Sequence, residues 1–176
     1  TGVQTCALPI SESVFSVDGD VAPLADYARL CRAYGAHLIV DEAHAVGVFG
    51  AQGRGLVEAA GVQDAVLLTT DTAGKALGVA GAFLSGSDLV VESIVQRARP
   101  FIFSTAPPPA VASAIEAALE VSEAEPWRRQ AVLGQAAALR RGVFLDAIQR
   151  RLEALLRGRL GEERERPARQ TVLAVL

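Results

Sequence analysis

Apolar positions along this chain come in short runs, spaced by longer stretches with helical periodicity. Ser13 to Val17 reads as a short strand, and Asp18-Gly19-Asp20 as the turn after it. Pro23 suits the first position of a helix. Apolar or aromatic residues at 24, 27, 28, 30 and 31 then share one helical face, and Gly35 ends the helix. His37 to Val40 predicts a short apolar strand that stops at Asp41, followed by a glycine-rich loop over 42–55. A short helix near 56–60 precedes a second strand, Ala65 to Thr69. After a loop around Lys75 comes a third strand, Val79 to Leu84. Ser87 or Asp88 caps a helix that runs to Arg97. Phe101-Ile102-Phe103 reads as a brief strand, and Pro107-Pro108-Pro109 breaks the chain before the next helix. From Ala110 to Leu160 the pattern is helical, interrupted near Pro126. Gly161 to Arg169 reads as a charged loop, and Thr171 to Leu176 starts an apolar strand.

Strands alternating with helices predict an α/β fold, a mainly parallel sheet with helices on its faces. Such sheets bind ligands beyond the carboxyl ends of their strands. Asp41 and the Thr72–Lys75 segment both follow strands at that end. Composition changes this picture little. Apolar residues make up 51% and charged residues 21%, and the net charge of −3 does not point to nucleic acid. No apolar run approaches the roughly 20 residues of a membrane span. Cys6 and Cys31 have no CxxC partner or nearby histidine pattern, and no metal site is expected. Cys31 falls on the apolar face of a helix, as a buried small hydrophobe, and a reducing, cytoplasmic setting is expected. Residues 1–10 lack a basic n-region and a long apolar core, so they are not a signal peptide. They resemble translated sequencing-adapter read-through and are expected to be a non-native leader, which leaves Cys6 without meaning.

Charge does single out one residue. Lys75 is the only lysine, and the other sixteen basic side chains are arginine. A primary amine can lose its proton and form a Schiff base, whereas a guanidinium cannot. A lone lysine is ordinarily a leftover surface charge. Here it sits in Thr72-Ala73-Gly74-Lys75-Ala76-Leu77-Gly78, a small-residue loop suited to backbone held close to something bulky.

Asp41-Glu42-Ala43-His44 spells a helicase box, which raises nucleotide hydrolysis. That chemistry needs an upstream G-x-x-x-x-G-K-S/T loop. The only Gly-Lys pair is Gly74-Lys75; it lies downstream, is followed by Ala76, and has Thr69 where the first glycine belongs. The other reading joins Asp41, His44, Thr72 and Lys75 in one site. Pyridoxal phosphate (PLP) needs a lysine for its aldehyde and a carboxylate that keeps its ring nitrogen protonated. It also needs hydrogen-bond donors for its phosphate and phenolic oxygen, and these residue types meet those needs.

Five segments carry a family resemblance: Glu12 to Leu24, Asp41 to Gly47, Gly53-Arg54-Gly55, Thr72 to Gly78, and Arg99 to Thr105. In order and approximate spacing they resemble the α-oxoamine synthases, over roughly residues 12–145. The resemblance implies the central part of the fold type I PLP-dependent transferase large domain. Residues 11–125 would belong to that domain, and 126–176 to a linking helix and the start of a truncated C-terminal small domain. It implies PLP as cofactor, with Lys75 forming the internal aldimine and moving the substrate α-proton. Asp41 would pair with the pyridinium nitrogen, His44 would bond the phenolic oxygen with Ser16 close by, and Thr72 would contact the phosphate. Ser104 and Thr105 would reach the phosphate in the neighbouring subunit of a homodimer. The activity implied is decarboxylative condensation of an amino acid with an acyl-CoA or acyl-carrier-protein thioester. The run after Lys75 and the Phe101–Pro108 run favour the member that joins L-alanine to a pimeloyl thioester in biotin biosynthesis. A sister enzyme, such as 2-amino-3-ketobutyrate ligase or a long-chain acyl type, and a non-enzymatic remnant are the alternatives. His37 reads as structural, and Arg54 as a loop anchor or a substrate contact. The family's ring-stacking residue and its carboxylate-binding arginine have no counterpart here, so the chain is expected to be a fragment, inactive alone.

Overall fold

The structure, a computed structural model, describes residues 10–158. One sheet runs in the order β1 (Ile10–Glu12), β2 (Leu38–Asp41), β3 (Val66–Thr72), β4 (Ala82–Gly86). The first three strands are parallel, and β4 returns antiparallel to β3. Helix α1 (Leu24–Tyr34) connects β1 to β2. The short α2 (Leu56–Ala59) and a 3-10 turn over Gln63–Ala65 connect β2 to β3. After the sheet come α3 (Asp88–Arg97), α4 (Arg99–Ile102), α5 (Pro109–Ala124) and α6 (Trp127–Gly158). No helix among the described residues is long and apolar enough to cross a membrane.

Two apolar clusters hold these elements. In α1, Leu24, Ala28 and Cys31 recur about one turn apart and are buried. Gly35 ends the helix at φ +60°, with its N–H donating to the Cys31 carbonyl. Leu38 and Val40 of β2 pack under this face with Ala22, Val57 and Val62, and both are fully buried. Burying each such side chain contributes roughly 1.5–3 kcal/mol. The second cluster joins two loops. Val46 follows β2, and Ala73 and Leu77 follow β3; all three are buried together against Phe83 of β4 and Ile115 and Ala118 of α5. Their approach leaves no room for a side chain at Gly47. It has φ +76°, and a Cβ there would stand 2.9 Å from that of Ala76.

The strand and helix order follows the sequence expectations, with four local corrections. Ser13 to Val17 is not a strand. The strand lies at Ile10–Glu12, and only Val14 bridges, to Val21, because a tight turn closes from Phe15 to Asp20. Pro23 precedes α1 instead of opening it. Val79 to Ala80 are spent closing the Lys75 loop, since the Val79 N–H donates to Ala73 O and the Ala73 N–H to Gly81 O. The strand therefore starts at Ala82, while β3 runs on to Thr72. Phe101 and Ile102 lie in the single turn α4, where Pro100 pre-sets the helical φ. The readings for residues 1–9, for Gly161 to Arg169 and for Thr171 to Leu176 lie outside the described residues.

Arg129 and Asp71 are buried polar side chains that the sequence pattern does not announce. Arg129 of α6 is 6% exposed; it donates to the carbonyls of Ser122 and, at 2.7 Å, Ala51, so it ties the α5–α6 corner to the 47–55 loop. Asp71 of β3 is 4% exposed. Burial raises its carboxyl from 3.8 to about 6, the Thr69 hydroxyl at 3.0 Å opposes the rise, and the nearby Glu42 and Asp41 carboxylates add to it.

Because the folded pKa of Asp71 is raised, the native state holds a proton that the unfolded chain releases between about pH 4 and pH 6. Its contribution to stability is therefore present at low pH and lost as pH rises through that window. Asp71→Asn keeps an acceptor for Thr69 and should raise the unfolding free energy by about 1–3 kcal/mol at pH 8, with little change at pH 4, in urea titrations. Equal effects at both pH values would contradict the burial argument. Gly47→Ala should cost about 1–3 kcal/mol in the same titration, from its backbone angle and the clash with Ala76. A variant as stable as the parent would mean the two loops are not pressed together there.

Candidate functional site

Strand β2 carries Asp41 to the carboxyl end of the sheet. There its Oδ1 accepts the Ala43 N–H at 2.8 Å, an Asx turn that starts the following loop. The Glu42 carbonyl accepts the N–H groups of Ala45 and Val46 at 2.8 and 2.9 Å, which winds the chain into one tight turn. Ala45 and Val46 point into the protein, and His44 stands at the turn's edge. From the neighbouring strand, Thr72 ends β3 and the loop over Ala73–Val79 presents Lys75. Asp41 lies opposite Thr70 in the parallel register, so Thr72 extends one repeat past Asp41 on the same end.

The two loops meet in one polar contact. Lys75 Nζ and His44 Nε2 are 2.8 Å apart. With an ammonium at Lys75, Nε2 is the acceptor and the ring proton belongs on Nδ1. Nδ1 is buried and has no hydrogen-bond partner among the described residues. A buried ring nitrogen without a partner is costly, and it leaves one polar valence of the site open to an added group.

Glu42 lies behind this pair, fully buried. Its Oε2 accepts the Ser13 hydroxyl at 2.6 Å and the Leu56 N–H at 3.0 Å, and its Oε1 accepts the Val57 N–H at 2.6 Å. Gly55 packs on the carboxyl group, where a Cβ would fall 2.6 Å from Glu42 Cδ. The sequence reading gave Glu42 no role. No signal in the sequence pointed to it, since Gly55 meets Glu42 only in the fold.

The other expected residues are placed as follows. Thr72 Oγ1 lies 3.5 Å from the Gly81 carbonyl. Ser16 is exposed in the turn after β1, and its N–H donates to Glu12 at 3.2 Å. Ser104 follows α4 and donates to the Pro100 carbonyl; Thr105 beside it is exposed. No hydrogen bond among the described residues joins Ser16, Ser104 or Thr105 to His44 or Lys75. Arg54 anchors its own loop: its N–H donates to Glu58 at 3.0 Å, and its guanidinium sits 3.8 Å from Glu123 in an exposed pair worth little. A cleft of about 1040 Å³ opens on the Asp71 side of the sheet, but neither His44 nor Lys75 lines it. The chemistry gathers at the strand ends instead.

Comparison with known proteins identifies the family. Residues 3–148 match the family described as aminotransferase class I and II. An 8-amino-7-oxononanoate synthase from Anaeromyxobacter sp. (strain K) is 52% identical over 137 residues, covering 77% of this chain and 34% of that protein. One from Alcanivorax borkumensis is 49% identical over 135 residues, covering 77% and 35%. Among solved structures, a serine palmitoyltransferase from S. paucimobilis with a bound PLP–myriocin aldimine superposes with a TM-score of 0.74 at 30% identity, over 78% of this chain and 36% of that one. An 8-amino-7-oxononanoate synthase from Francisella tularensis gives 0.62 at 30% identity, over 73% and 38%. The chain spans about a third of the length of the curated relatives it matches. With most of its length inside the family match, this chain belongs to the aminotransferase class I and II family.

Proposed function

We propose that this chain is the lysine-bearing part of a PLP-dependent acyltransferase. It would join L-alanine to a pimeloyl thioester, releasing CO₂ and the free thiol, to give 8-amino-7-oxononanoate. The observation that carries this reading is the 2.8 Å contact between the only lysine and His44, at the strand ends where Asp41 and Thr72 also lie. The identity of 52% to a protein of that name supports the choice of reaction.

The residues present fit the cofactor. His44 has a buried ring nitrogen without a partner among the described residues, Lys75 is an exposed amine, and Asp41 spends one carboxylate oxygen on Ala43, leaving the other to accept from a ring N–H. In this reading Lys75 holds the cofactor covalently, Asp41 faces the ring nitrogen, His44 the phenolic oxygen and Thr72 the phosphate. Ser16 lies near the ring, and Ser104 and Thr105 serve the phosphate of the other subunit of a homodimer. PLP, when bound, supplies an electron sink for the α-carbon of the amino acid. The free amine of Lys75 would take the α-proton at Nζ. His44 Nε2 orients that amine, so the proton moves over a short, fixed distance. A carboxylate at Asp41 would favour the protonated ring nitrogen and so the electron sink. The loop glycines let the backbone come close to a planar ligand.

The serine palmitoyltransferase structures keep a second reading open, a sister enzyme with a longer acyl donor and L-serine. Turnover of L-alanine with pimeloyl thioester, against L-serine with palmitoyl thioester, separates the two.

Full-length protein mixed with PLP should develop a visible absorbance band that Lys75→Ala lacks. Alanine-dependent condensation should fall by at least about 10²–10⁴-fold in the variant. A band of equal strength in both proteins, or none in the parent, would remove Lys75 from this role.

A further inference from the structure

We infer that Glu42 is a positioning residue for this site: its buried carboxylate fixes the turn that holds His44 against Lys75. The inference deepens the proposed function and rests on it for its catalytic meaning. Its geometry stands apart.

Glu42 is held through every polar group it has. Its N–H donates to Thr70 O at 2.8 Å, which locks it to β3, and its carbonyl takes the two N–H groups that wind the His44 turn. Its side chain accepts from Ser13, Leu56 and Val57, so the segments after β1 and at the start of α2 converge on one carboxylate. The carboxylate is acceptor-only, and all three partners are donors. An amide in its place must turn its NH₂ toward either Val57 N–H or Leu56 N–H, donor against donor. An aspartate is one methylene too short to reach both sides. Gly55 closes the pocket around the carboxyl group and has φ +101°, so the backbone there is shaped to the acid. Asp41 and His44 flank Glu42 in the chain. A shift of the carboxylate therefore moves both groups that would face the cofactor, while Lys75, on the other loop, stays with Ala73 and Leu77.

The histidines of this chain provide a direct readout once their resonances are assigned in the full-length protein, since His37 lies at the opposite end of β2 from His44. In proton NMR of the cofactor-free full-length protein, Glu42→Gln should shift the His44 Cε1–H resonance and leave that of His37 in place. Leu38→Ala, a core change of the same strand, should lower stability without that selective shift. In the PLP-treated protein, borohydride-trapped attachment to Lys75 should be about 10–100-fold slower in Glu42→Gln than in Leu38→Ala. If Glu42→Gln does not fold, Ser13→Ala, which deletes one of the three donors, should give the same His44 shift in weaker form. An unmoved His44 in the folded variants, or equal shifts in Leu38→Ala, would overturn the inference. A parent that never binds PLP, with the His44 shift still present, would sink the proposed function and leave the positioning geometry standing.

Discussion

A carboxylate without water has to be surrounded by donors, and Glu42 is the place where this fold meets that demand. Leaving such a charge unpaired in the interior costs several kcal/mol, so each donor around it is a constraint on the chain. Ser13, after β1, and Leu56 and Val57, at the start of α2, come from two separate segments and must arrive together. Gly55 follows from the same demand, because any side chain there would occupy the carboxyl group's space. The path from β1 through α2 is thus organised around an acid that touches no solvent.

The site arises on the other side of that anchor from a different kind of force. Small residues let the two loops pack face to face: Gly47 of one loop presses against Ala76 and Leu77 of the other, and Val46 packs with Ala73, with Ile115 and Ala118 of α5 closing the cluster. Apolar burial brings the loops together, and the polar pair at their edge, His44 and Lys75, gains its 2.8 Å spacing from that packing. An exposed lysine and a half-buried imidazole would not hold such a geometry through their own attraction. Pre-organisation of this kind is what proton transfer at a fixed distance requires.

The legibility of the sequence follows the physics of each element. Helix α1 and strand β2 are readable because their burial is periodic and their ends carry Gly35 and Asp41. Short apolar runs are not, since period cannot separate a strand from a single helical turn over three residues. Phe101–Phe103 fell on the wrong side for that reason, with Pro100 deciding for the helix. Val79 was misread because its backbone closes the Lys75 loop, a tertiary demand with no local signature. In the site, Lys75, His44 and Asp41 could be named from residue type and spacing. Glu42 could not be assigned a direction, and Asp71 looked like any charged residue of a loop until the sheet buried it.

The account stands on Lys75 as the amine that carries the cofactor. Borohydride reduction of the PLP-treated protein, followed by proteolysis and mass spectrometry, tests it directly, because the modified peptide identifies which amine carries the cofactor and Lys75 is the one lysine in these 176 residues. A pyridoxyl-phosphate adduct should appear on the peptide containing Thr72–Gly78, with the histidine-bearing peptides unmodified. An adduct confined to the terminal amine, or no adduct at all, would contradict it.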